Sequence, residues 1–404
     1  MVVLIRFPFA CGHYIATGAG APFLICTFDP AIISRVTTIL INTADVGVEA
    51  AAMRGAAAVR DGKLVAFATE TVYGIAVCAD DDAALERLRT LKDRPTRPFS
   101  VHLGRAADAY RYVSRADTPP QARRLIEKAW PGPITIVLKA NGHLADPALK
   151  PLYGRLCHDD YIGLRCPDEP LASAMLSAVE RTVVAPSANL AGEPSPHTAK
   201  QVMAALEGKV DLVIDSGPTR HRKDSTIVRA DDDGIHVLRA GAIDEKSVHR
   251  LAAMTIVFVC TGNTCRSPMA EGIAKKLLAE KLSCQEDDLN HRGYEVVSAG
   301  LFASDGARAT PEAVLAAKRL GADIEKHRSQ RLTGELIRRA DVIFCMTRFH
   351  AQQIRELGAD AQVVQLLDPK KEIADPLGGA DPEYAASAGQ IAAALREALD
   401  TRLP

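Results

Sequence analysis

The chain has 404 residues, with 49 Lys and Arg against 50 Asp and Glu, so its formal net charge at pH 7 is −1. This length favours two domains, and the balanced charge gives no whole-chain attraction for nucleic acid or a membrane surface. No stretch approaches the roughly 18 consecutive apolar residues of a membrane span. The nine cysteines lack Cys-x-x-Cys spacing, which favours a reducing compartment and indicates no metal site. We therefore expect a cytoplasmic enzyme with no membrane partner.

The first domain is predicted to cover residues 37–243. Residues 1–36 precede it as an N-terminal extension of uncertain role, because Gly, Pro and Arg6 interrupt its apolar runs and it does not resemble a secretory signal. A strand at 39–41, an amphipathic helix at 48–60 and a strand at 64–68 open the domain. Further β-branched runs follow at 135–138, 161–165, 182–185, 212–215, 226–228 and 236–238. The alternation of predicted strands and helices, with many strands, is typical of a strand-rich α/β domain.

The second domain is predicted at residues 254–404, after a linker at 244–253. Four apolar strands, separated by helical stretches, are expected at 255–260, 295–299, 341–346 and 362–366. A last helix, rich in Ala, Leu and Glu, is expected at about 382–402. The pattern predicts a doubly wound four-stranded parallel sheet flanked by helices.

The junction after the first strand of this second domain carries the clearest chemistry. An apolar strand runs into a short loop, and Ser267 and Pro268 then open a helix. Such a junction directs backbone N–H groups and the positive end of the helix dipole into one concavity suited to phosphate. The same field favours the thiolate of Cys260, and Arg266 offers a planar fork for two phosphate oxygens. Spacing alone leaves open a buried cysteine and an unrelated surface arginine.

The whole stretch from Cys260 to Pro268 resembles the Cys-x-Gly-Asn-x-Cys-Arg-Ser-Pro signature of low-molecular-weight protein phosphatases. The resemblance implies that Cys260 is the nucleophile, Arg266 the phosphate clamp and Asp375, in an Asp-Pro motif, the general acid, with no cofactor. Ser267 is expected to hydrogen-bond the Cys260 sulfur, and Asn263 to hold the loop. The phosphate-loop and specificity positions are Thr261, Gly262, Asn263, Thr264, Cys265 and Ser267.

The phosphorylated residue in the protein substrate depends on finer features. Thr264 and the Asp-Pro-x-Gly-Gly form resemble the protein arginine phosphatase branch, in which a threonine hydroxyl suits a polar guanidino group. Leu377 departs from the phenylalanine of that branch. A tyrosine phosphatase is therefore the alternative. Cys265 has two open interpretations, a protective disulfide with Cys260 under oxidation or a packing residue.

Five motifs in the first domain together resemble YrdC-type threonylcarbamoyl-AMP synthases, which implies a twisted mixed-sheet α/β domain. They lie at 68–74, 92–98, 130–133, 185–189 and 225–226. The resemblance implies binding of ATP and threonine by Thr71, Tyr73, Lys92, Arg94, Arg97, Arg165, Ser187, Asn189, Ser225 and Arg239. A cluster of cations is suited to phosphate and carboxylate groups.

This second resemblance also implies substrates and partners. L-threonine, bicarbonate and ATP, with Mg²⁺ accompanying ATP, are the expected substrates, and the product serves tRNA modification. RNA and tRNA-modification transferase proteins are candidate partners. Arg222 departs from the family, because it replaces a glycine commonly found upstream of Ser-Thr. The alternative is a nucleotide- or RNA-binding module without synthase activity, since relatives of that kind share the fold.

Overall fold

The computed structural model describes residues 37–402, so the predicted N-terminal extension lies outside the described residues. The first half contains one mixed sheet of eleven strands within this range. The strands are β1 (Ile39–Asn42), β2 (Val65–Ala68), β3 (Tyr73–Cys78), β4 (Val101–His102), β5 (Ile134–Lys139), β6 (Cys157–His158), β7 (Tyr161–Arg165), β8 (Val183–Val184), β9 (Leu212–Asp215), β10 (Thr226–Asp231) and β11 (Gly234–Arg239). Their order is β1-β9-β2-β3-β8-β4-β7-β5-β10-β11, with β6 paired to β7.

Helices cover both faces of this sheet. They are α1 (Thr43–Val46), α2 (Val48–Arg60), α3 (Asp82–Lys92), α4 (Pro120–Ala129), α5 (Tyr153–Leu156), α6 (Pro170–Val179) and α7 (Ala199–Leu206). Successive side chains of a strand point to opposite faces. Accordingly Val65 and Phe67 pack in the cluster under α2 and α6, whereas Leu64 and Ala66 pack in the cluster under α3, α4 and α7. The predicted mixed-sheet α/β domain is confirmed.

Three strands of the first domain had no counterpart among the predicted strands. Strands β4 and β6 have two residues each, which is too short to show a period of two. Strand β3 is buried along its whole length, so it lacks the alternation of apolar and polar residues that marks a half-buried strand.

The second half forms a separate four-stranded sheet in the order β13-β12-β14-β15. Every neighbouring pair is parallel. The strands are β12 (Met254–Cys260), β13 (Tyr294–Gly300), β14 (Val342–Cys345) and β15 (Val364–Leu366). Helices α9 (Arg266–Leu282), α10 (Pro311–Arg319) and α13 (Asp381–Thr401) pack on one face, and α11 (Gly334–Arg339) and α12 (Arg348–Glu356) on the other. The doubly wound parallel sheet is confirmed.

The stretch predicted as a linker contains a helix, α8 (Glu245–Ala252). The Asp244 carboxylate caps it by accepting from the Ser247 N–H at 2.9 Å. Val248 and Ala252 are buried and belong to the apolar cluster that also contains residues of α4. The chain therefore enters the second domain from a helix packed on the first, and the domain limits at 243 and 254 stay a prediction.

The two domains meet at the amino ends of the second sheet's strands. Lys128 on α4 is almost fully buried and donates to Asp341 Oδ2 at 2.7 Å, to the Ala253 carbonyl at 3.0 Å and to Thr255 Oγ1 at 3.1 Å. Arg124, one turn earlier on α4, pairs with Asp341 Oδ1 at 3.1 Å. Because parallel strands all point the same way, their carboxyl ends lie at the opposite edge, away from the first domain.

Candidate active sites

Cys260 is the last residue of β12, and five loop residues separate it from Arg266, the first residue of α9. Asn263, in the middle of the loop, has a left-handed backbone with φ +56°, a conformation that asparagine tolerates better than most residues. Gly300, at the end of β13, lies directly against the loop. A Cβ atom there would approach the Thr261 carbonyl oxygen to 2.7 Å and the Asn263 nitrogen to 2.9 Å, so only glycine permits this contact.

The Cys260 sulfur is buried and held by two contacts. Its Sγ lies 3.0 Å from Ser267 Oγ and accepts from the Asn263 N–H at 3.3 Å. The Asn263 amide donates to Ser267 Oγ at 2.9 Å and to Ser298 Oγ at 2.8 Å, and its Oδ1 accepts from the Gln330 N–H. The loop is thus tied to β13 and to the segment before α11.

Arg266 and Asp375 face each other across the same loop. The Arg266 Nη2 donates to Asp375 Oδ2 at 2.5 Å, and Nη1 donates to the Ile373 carbonyl at 3.2 Å. The Arg266 Nε is buried without a hydrogen-bond partner among the described residues. Arg266 is buried, whereas 46% of the Asp375 side chain is exposed. The guanidinium therefore keeps one unused donor, and the Asp375 carboxyl reaches solvent.

Thr264 and Cys265 complete the loop before α9. The Thr264 hydroxyl lies 3.6 Å from Cys265 Sγ, and the Cys265 sulfur contacts the Tyr384 hydroxyl at 3.6 Å. Gly262 is partly exposed at the loop surface. Two large apolar side chains are exposed near this loop: Phe302, whose N–H bonds the Thr261 carbonyl, and Leu377, whose N–H bonds Asp375 Oδ1.

One residue of this site was absent from the sequence prediction. His350 on α12 is buried, and its Nε2 lies 3.0 Å from Thr261 Oγ1 while its Nδ1 lies 2.7 Å from Thr347 Oγ1. Burial, aided by the positive charge of Arg266, lowers the pKa of His350 to about 4. It lies 89 positions after Thr261 in the sequence, and no local motif marks it.

The first domain gathers its predicted residues around the end of α3. Lys92, the last residue of α3, donates to the carbonyls of Ser187 and Asn189 at 3.0 and 2.8 Å and to Asn189 Oδ1 at 2.8 Å. The Ser187 hydroxyl bonds the same Oδ1 at 2.5 Å. Burial lowers the pKa of Lys92 to about 8, against the opposing effect of Asp224. Lys92 has no carboxylate within salt-bridge distance among residues 37–402, so a ligand can supply the missing negative charge.

Arg94 and Arg97 follow Lys92 on the loop after α3. Arg94 stacks over the Phe99 ring at 5.2 Å, and burial together with the charge of Arg97 lowers its pKa. Neither arginine forms an ion pair within the described part of the chain. Three neighbouring cations without acidic partners are costly to hold together unless a polyanion joins them.

Arg165 lies in a second, buried cluster beside the turn between β2 and β3. Its Nη2 donates to Thr71 Oγ1 at 2.6 Å, to Glu70 Oε1 at 3.0 Å and to Thr69 Oγ1 at 3.2 Å. Glu70, which the prediction omitted, is fully buried, and its position inside the Thr-Glu-Thr motif was the available signal. The Arg165 Nε is buried and has no hydrogen-bond partner in the described structure.

The remaining predicted residues connect these clusters. The Tyr73 hydroxyl donates to the Gly217 carbonyl at 2.8 Å, and burial together with Asp215 raises the pKa of Tyr73. The Arg239 Nη2 donates to the Ser225 carbonyl at 2.7 Å and its Nη1 lies 4.0 Å from Asp224. The charge of Asp224 also acts on Lys92, so Ser225 and Arg239 lie near the Lys92 group. The Tyr73 carbonyl accepts from the Ala188 N–H, which brings the segment of Thr71 and Tyr73 next to Ser187 and Asn189.

The described residues form no cluster suited to a metal ion and no helix suited to crossing a membrane. Within residues 37–402, no group of three or more His, Cys, Asp or Glu side chains could hold a metal ion. Mg²⁺ usually binds through substrate phosphates and one or two carboxylates, so Mg²⁺ that arrives with ATP needs no dedicated protein site. None of the helices in this range has the length and apolarity to cross a membrane.

Comparison with known proteins follows the same division. Residues 57–241 match the Sua5/YciO/YrdC family, described as telomere recombination, and residues 255–403 match the low molecular weight phosphotyrosine protein phosphatases. The chain is 32% identical over 236 residues to a threonylcarbamoyl-AMP synthase of Pyrococcus abyssi. The aligned region covers 57% of this chain and 67% of the relative. It is 32% identical over 196 residues to that of Bacillus subtilis, covering 48% of this chain and only 54% of the relative.

Two solved structures resemble the second domain. An arginine phosphatase from Geobacillus stearothermophilus is 32% identical, with 37% of this chain and 97% of that chain covered and a TM-score of 0.31. A low molecular weight protein tyrosine phosphatase from T. tengcongensis is 30% identical, with 37% and 99% covered and a TM-score of 0.33.

The folds, the sites and these matches define a two-domain enzyme, a nucleotidyltransferase of tRNA modification joined to a protein phosphatase. The chain belongs to the threonylcarbamoyl-AMP synthase family and carries a low-molecular-weight phosphatase domain after the synthase domain.

Proposed function

We propose that the first domain makes threonylcarbamoyl-AMP from L-threonine, bicarbonate and ATP. The observation that carries this proposal is the group of cations at Lys92, Arg94 and Arg97, which have no carboxylate partner within residues 37–402 and lie beside the polar turn of Ser187 and Asn189. The amine of threonine and bicarbonate form a carbamate with loss of water. A carbamate oxygen then attacks the α-phosphorus of ATP, the bond to the bridging oxygen breaks, and pyrophosphate leaves with the negative charge. The cations stabilise that charge as it develops, so no nucleophilic side chain is required.

The test of this activity is pyrophosphate release by the full chain from MgATP, with L-threonine and bicarbonate added separately and together. We expect release only when both are present, and a loss of about 10²-fold in kcat/KM in Lys92→Met, because a positioned charge is removed from the leaving group. Asp108→Asn, in an exposed ion pair with Arg105, is the matched control. Tight RNA or nucleotide binding without turnover would instead favour a binding module.

The second domain is proposed to hydrolyse phosphorylated protein side chains through Cys260. The thiolate attacks phosphorus, Arg266 binds two of the phosphoryl oxygens, and Asp375 gives its proton to the departing group as the bond to phosphorus breaks. Water then attacks the phosphocysteine, Asp375 takes its proton, and inorganic phosphate leaves with the thiolate restored. The contacts that support these roles are those of the Cys260 sulfur with Ser267 and Asn263 and the pairing of Arg266 with Asp375.

Phosphoarginine is the proposed substrate of this second site. Thr264 places a hydroxyl in the loop, where a tyrosine-directed enzyme has a bulky aliphatic residue, and Leu377 is exposed after the general acid. A polar wall suits a guanidino group better than a phenyl ring. Tyrosine phosphatase activity is the competing function.

The experiment compares kcat/KM of the full chain on phosphoarginine and phosphotyrosine peptides of one sequence. We expect a preference for phosphoarginine that shifts toward phosphotyrosine in Thr264→Ile. Cys260→Ser serves as the blank. Leu377→Phe introduces the phenylalanine of the arginine phosphatase branch and tests whether Leu377 affects the preference. A preference for phosphotyrosine in the unmodified chain would assign the domain as a tyrosine phosphatase and would leave the roles of Cys260, Arg266 and Asp375 in place.

We further propose a cytoplasmic location and contact with RNA and tRNA-modification transferase proteins. These features follow from the use of the synthase product on tRNA. Binding of purified tRNA and of the transferase, measured with the full chain, tests them.

A further inference from the structure

The contact between the phosphate loop and α12 runs through one buried imidazole. His350 is the third residue of α12, and only 2% of it is exposed. Its Nε2 lies 3.0 Å from the Oγ1 of Thr261, the residue directly after the nucleophile, and its Nδ1 lies 2.7 Å from Oγ1 of Thr347, which caps the helix. Both ring nitrogens are therefore hydrogen-bonded, one to the loop and one to the helix cap.

The ring is neutral, so one ring nitrogen donates and the other accepts. Burial and the charge of Arg266 lower the pKa of His350 to about 4, and a position in the first turn of a helix also disfavours a cation. The Thr347 oxygen also accepts the His350 backbone N–H at 3.4 Å. With either ring tautomer, the imidazole joins the Thr347 hydroxyl to the Thr261 hydroxyl.

We propose that His350 is a positioning residue of the phosphatase site, which holds Thr261 and the first peptide of the phosphate loop through the chain Thr347–His350–Thr261. The N–H groups of the loop must point at the transferring phosphoryl group. If the loop is already ordered before substrate binds, no binding energy is lost in ordering it. On its other side the loop is held by Asn263 through Ser298 and Gln330. The histidine supplies the matching support where the loop leaves β12.

The inference rests on the proposed phosphatase activity but not on the choice between phosphoarginine and phosphotyrosine. The substrate of the test is therefore para-nitrophenyl phosphate, with the full chain throughout and Cys260→Ser as blank. The variants are His350→Leu, which removes both ring nitrogens, His350→Gln, which keeps an amide donor and acceptor in their place, Thr261→Val, which removes the hydroxyl at an exposed site, and the double variant His350→Leu/Thr261→Val.

We expect His350→Leu and Thr261→Val each to lower kcat/KM by about 3- to 10-fold, the value of one neutral hydrogen bond. The loss should fall mainly on kcat, because the loop donors bind most strongly in the transition state. The double variant should be no worse than either single variant, and His350→Gln should recover most of the activity.

Additive losses, or a His350→Gln variant as impaired as His350→Leu, would overturn the proposal and leave His350 a packing residue. If His350→Leu does not fold, as judged by thermal unfolding, Thr261→Val decides the question, and an unchanged kcat would overturn it. Absence of activity in the unmodified chain would instead reject the proposed phosphatase function, so the two failures are distinguishable.

Discussion

The Asp375 carboxylate lies 2.5 Å from the Arg266 guanidinium, so the proposed general acid and the proposed phosphate clamp form an ion pair with each other. A phosphate oxygen therefore competes with the Asp375 carboxylate for the Nη2 donor of Arg266. In Asp375→Asn we expect inorganic phosphate to inhibit more strongly, because a negative charge beside the anion is removed, while kcat falls by about 10² to 10⁴ with the loss of the proton donor.

The measurement is steady-state hydrolysis of para-nitrophenyl phosphate with inorganic phosphate as inhibitor. Asp381→Asn, which breaks the exposed pair with Arg319, is the control for general loss of acidic charge. A weaker inhibition by phosphate in Asp375→Asn would contradict the competition described above.

The charge of Lys92 predicts a pH dependence of ATP binding. Burial lowers the pKa of Lys92 to about 8, from an ordinary value of 10.5, so the amine loses its proton as the pH rises through that value. We expect the KM for ATP to rise above pH 8, with about one-tenth of Lys92 still charged one unit higher. In Asp224→Asn the rise should begin at lower pH, because Asp224 favours the charged amine. A KM that is flat from pH 7 to 9.5 would argue against a Lys92 contact with phosphate.

The buried pair of Glu70 and Arg165 predicts a stability effect. Both side chains are almost fully buried, and removal of one partner leaves an uncompensated buried charge. We expect Glu70→Ala to lower the free energy of unfolding by about 3–5 kcal/mol. Asp108→Ala breaks the exposed pair with Arg105 and should cost less than about 1 kcal/mol. Chemical denaturation of both variants checks the contrast, and equal costs would mean that Arg165 finds another partner.

The contacts of the buried Lys128 predict that the first domain contributes to the thermal stability of the second. Its Nζ bonds Asp341, Thr255 and the Ala253 carbonyl across the interface. Lys128→Met should leave the Asp341 charge short of a partner and lower the thermal midpoint of the phosphatase domain, with both activities retained at 25 °C because neither site contacts Lys128. Calorimetry of the full chain, with the exposed Lys318→Met as control, provides the measurement. An unchanged midpoint would show that the interface adds no stability.

Much of the architecture could be predicted because the local patterns agree with the fold. The helix predicted at 48–60 is α2 (Val48–Arg60), and the strand predicted at 212–215 is β9 (Leu212–Asp215). In α2 the buried residues recur at helical spacing, and β9 is a short apolar run that is buried at three of its four residues. Arg222, predicted to replace a glycine, has a left-handed backbone with φ +52°, the conformation that explains why glycine is common there.

What the sequence does not predict is long-range contact. Glu70 becomes the partner of Arg165 across 95 residues, and His350 meets Thr261 across 89. Neither pair has a spacing rule, because the approach depends on sheet order and helix packing and not on neighbouring residues. The pairing of Lys128 with Asp341 across 213 residues depends in addition on how the domains dock.

Both sites lie far from the surface where the domains meet. Strand β10 begins next to Ser225 and ends at Asp231, which lines a cleft of about 560 Å³ shared with His291 and Arg292 of the second domain. Six residues of strand place roughly 20 Å between that cleft and Ser225, and Cys260 is likewise at the far end of β12. The fusion therefore fixes a one-to-one copy number for the two domains, while the cleft between them is lined by neither Ser225 nor Cys260.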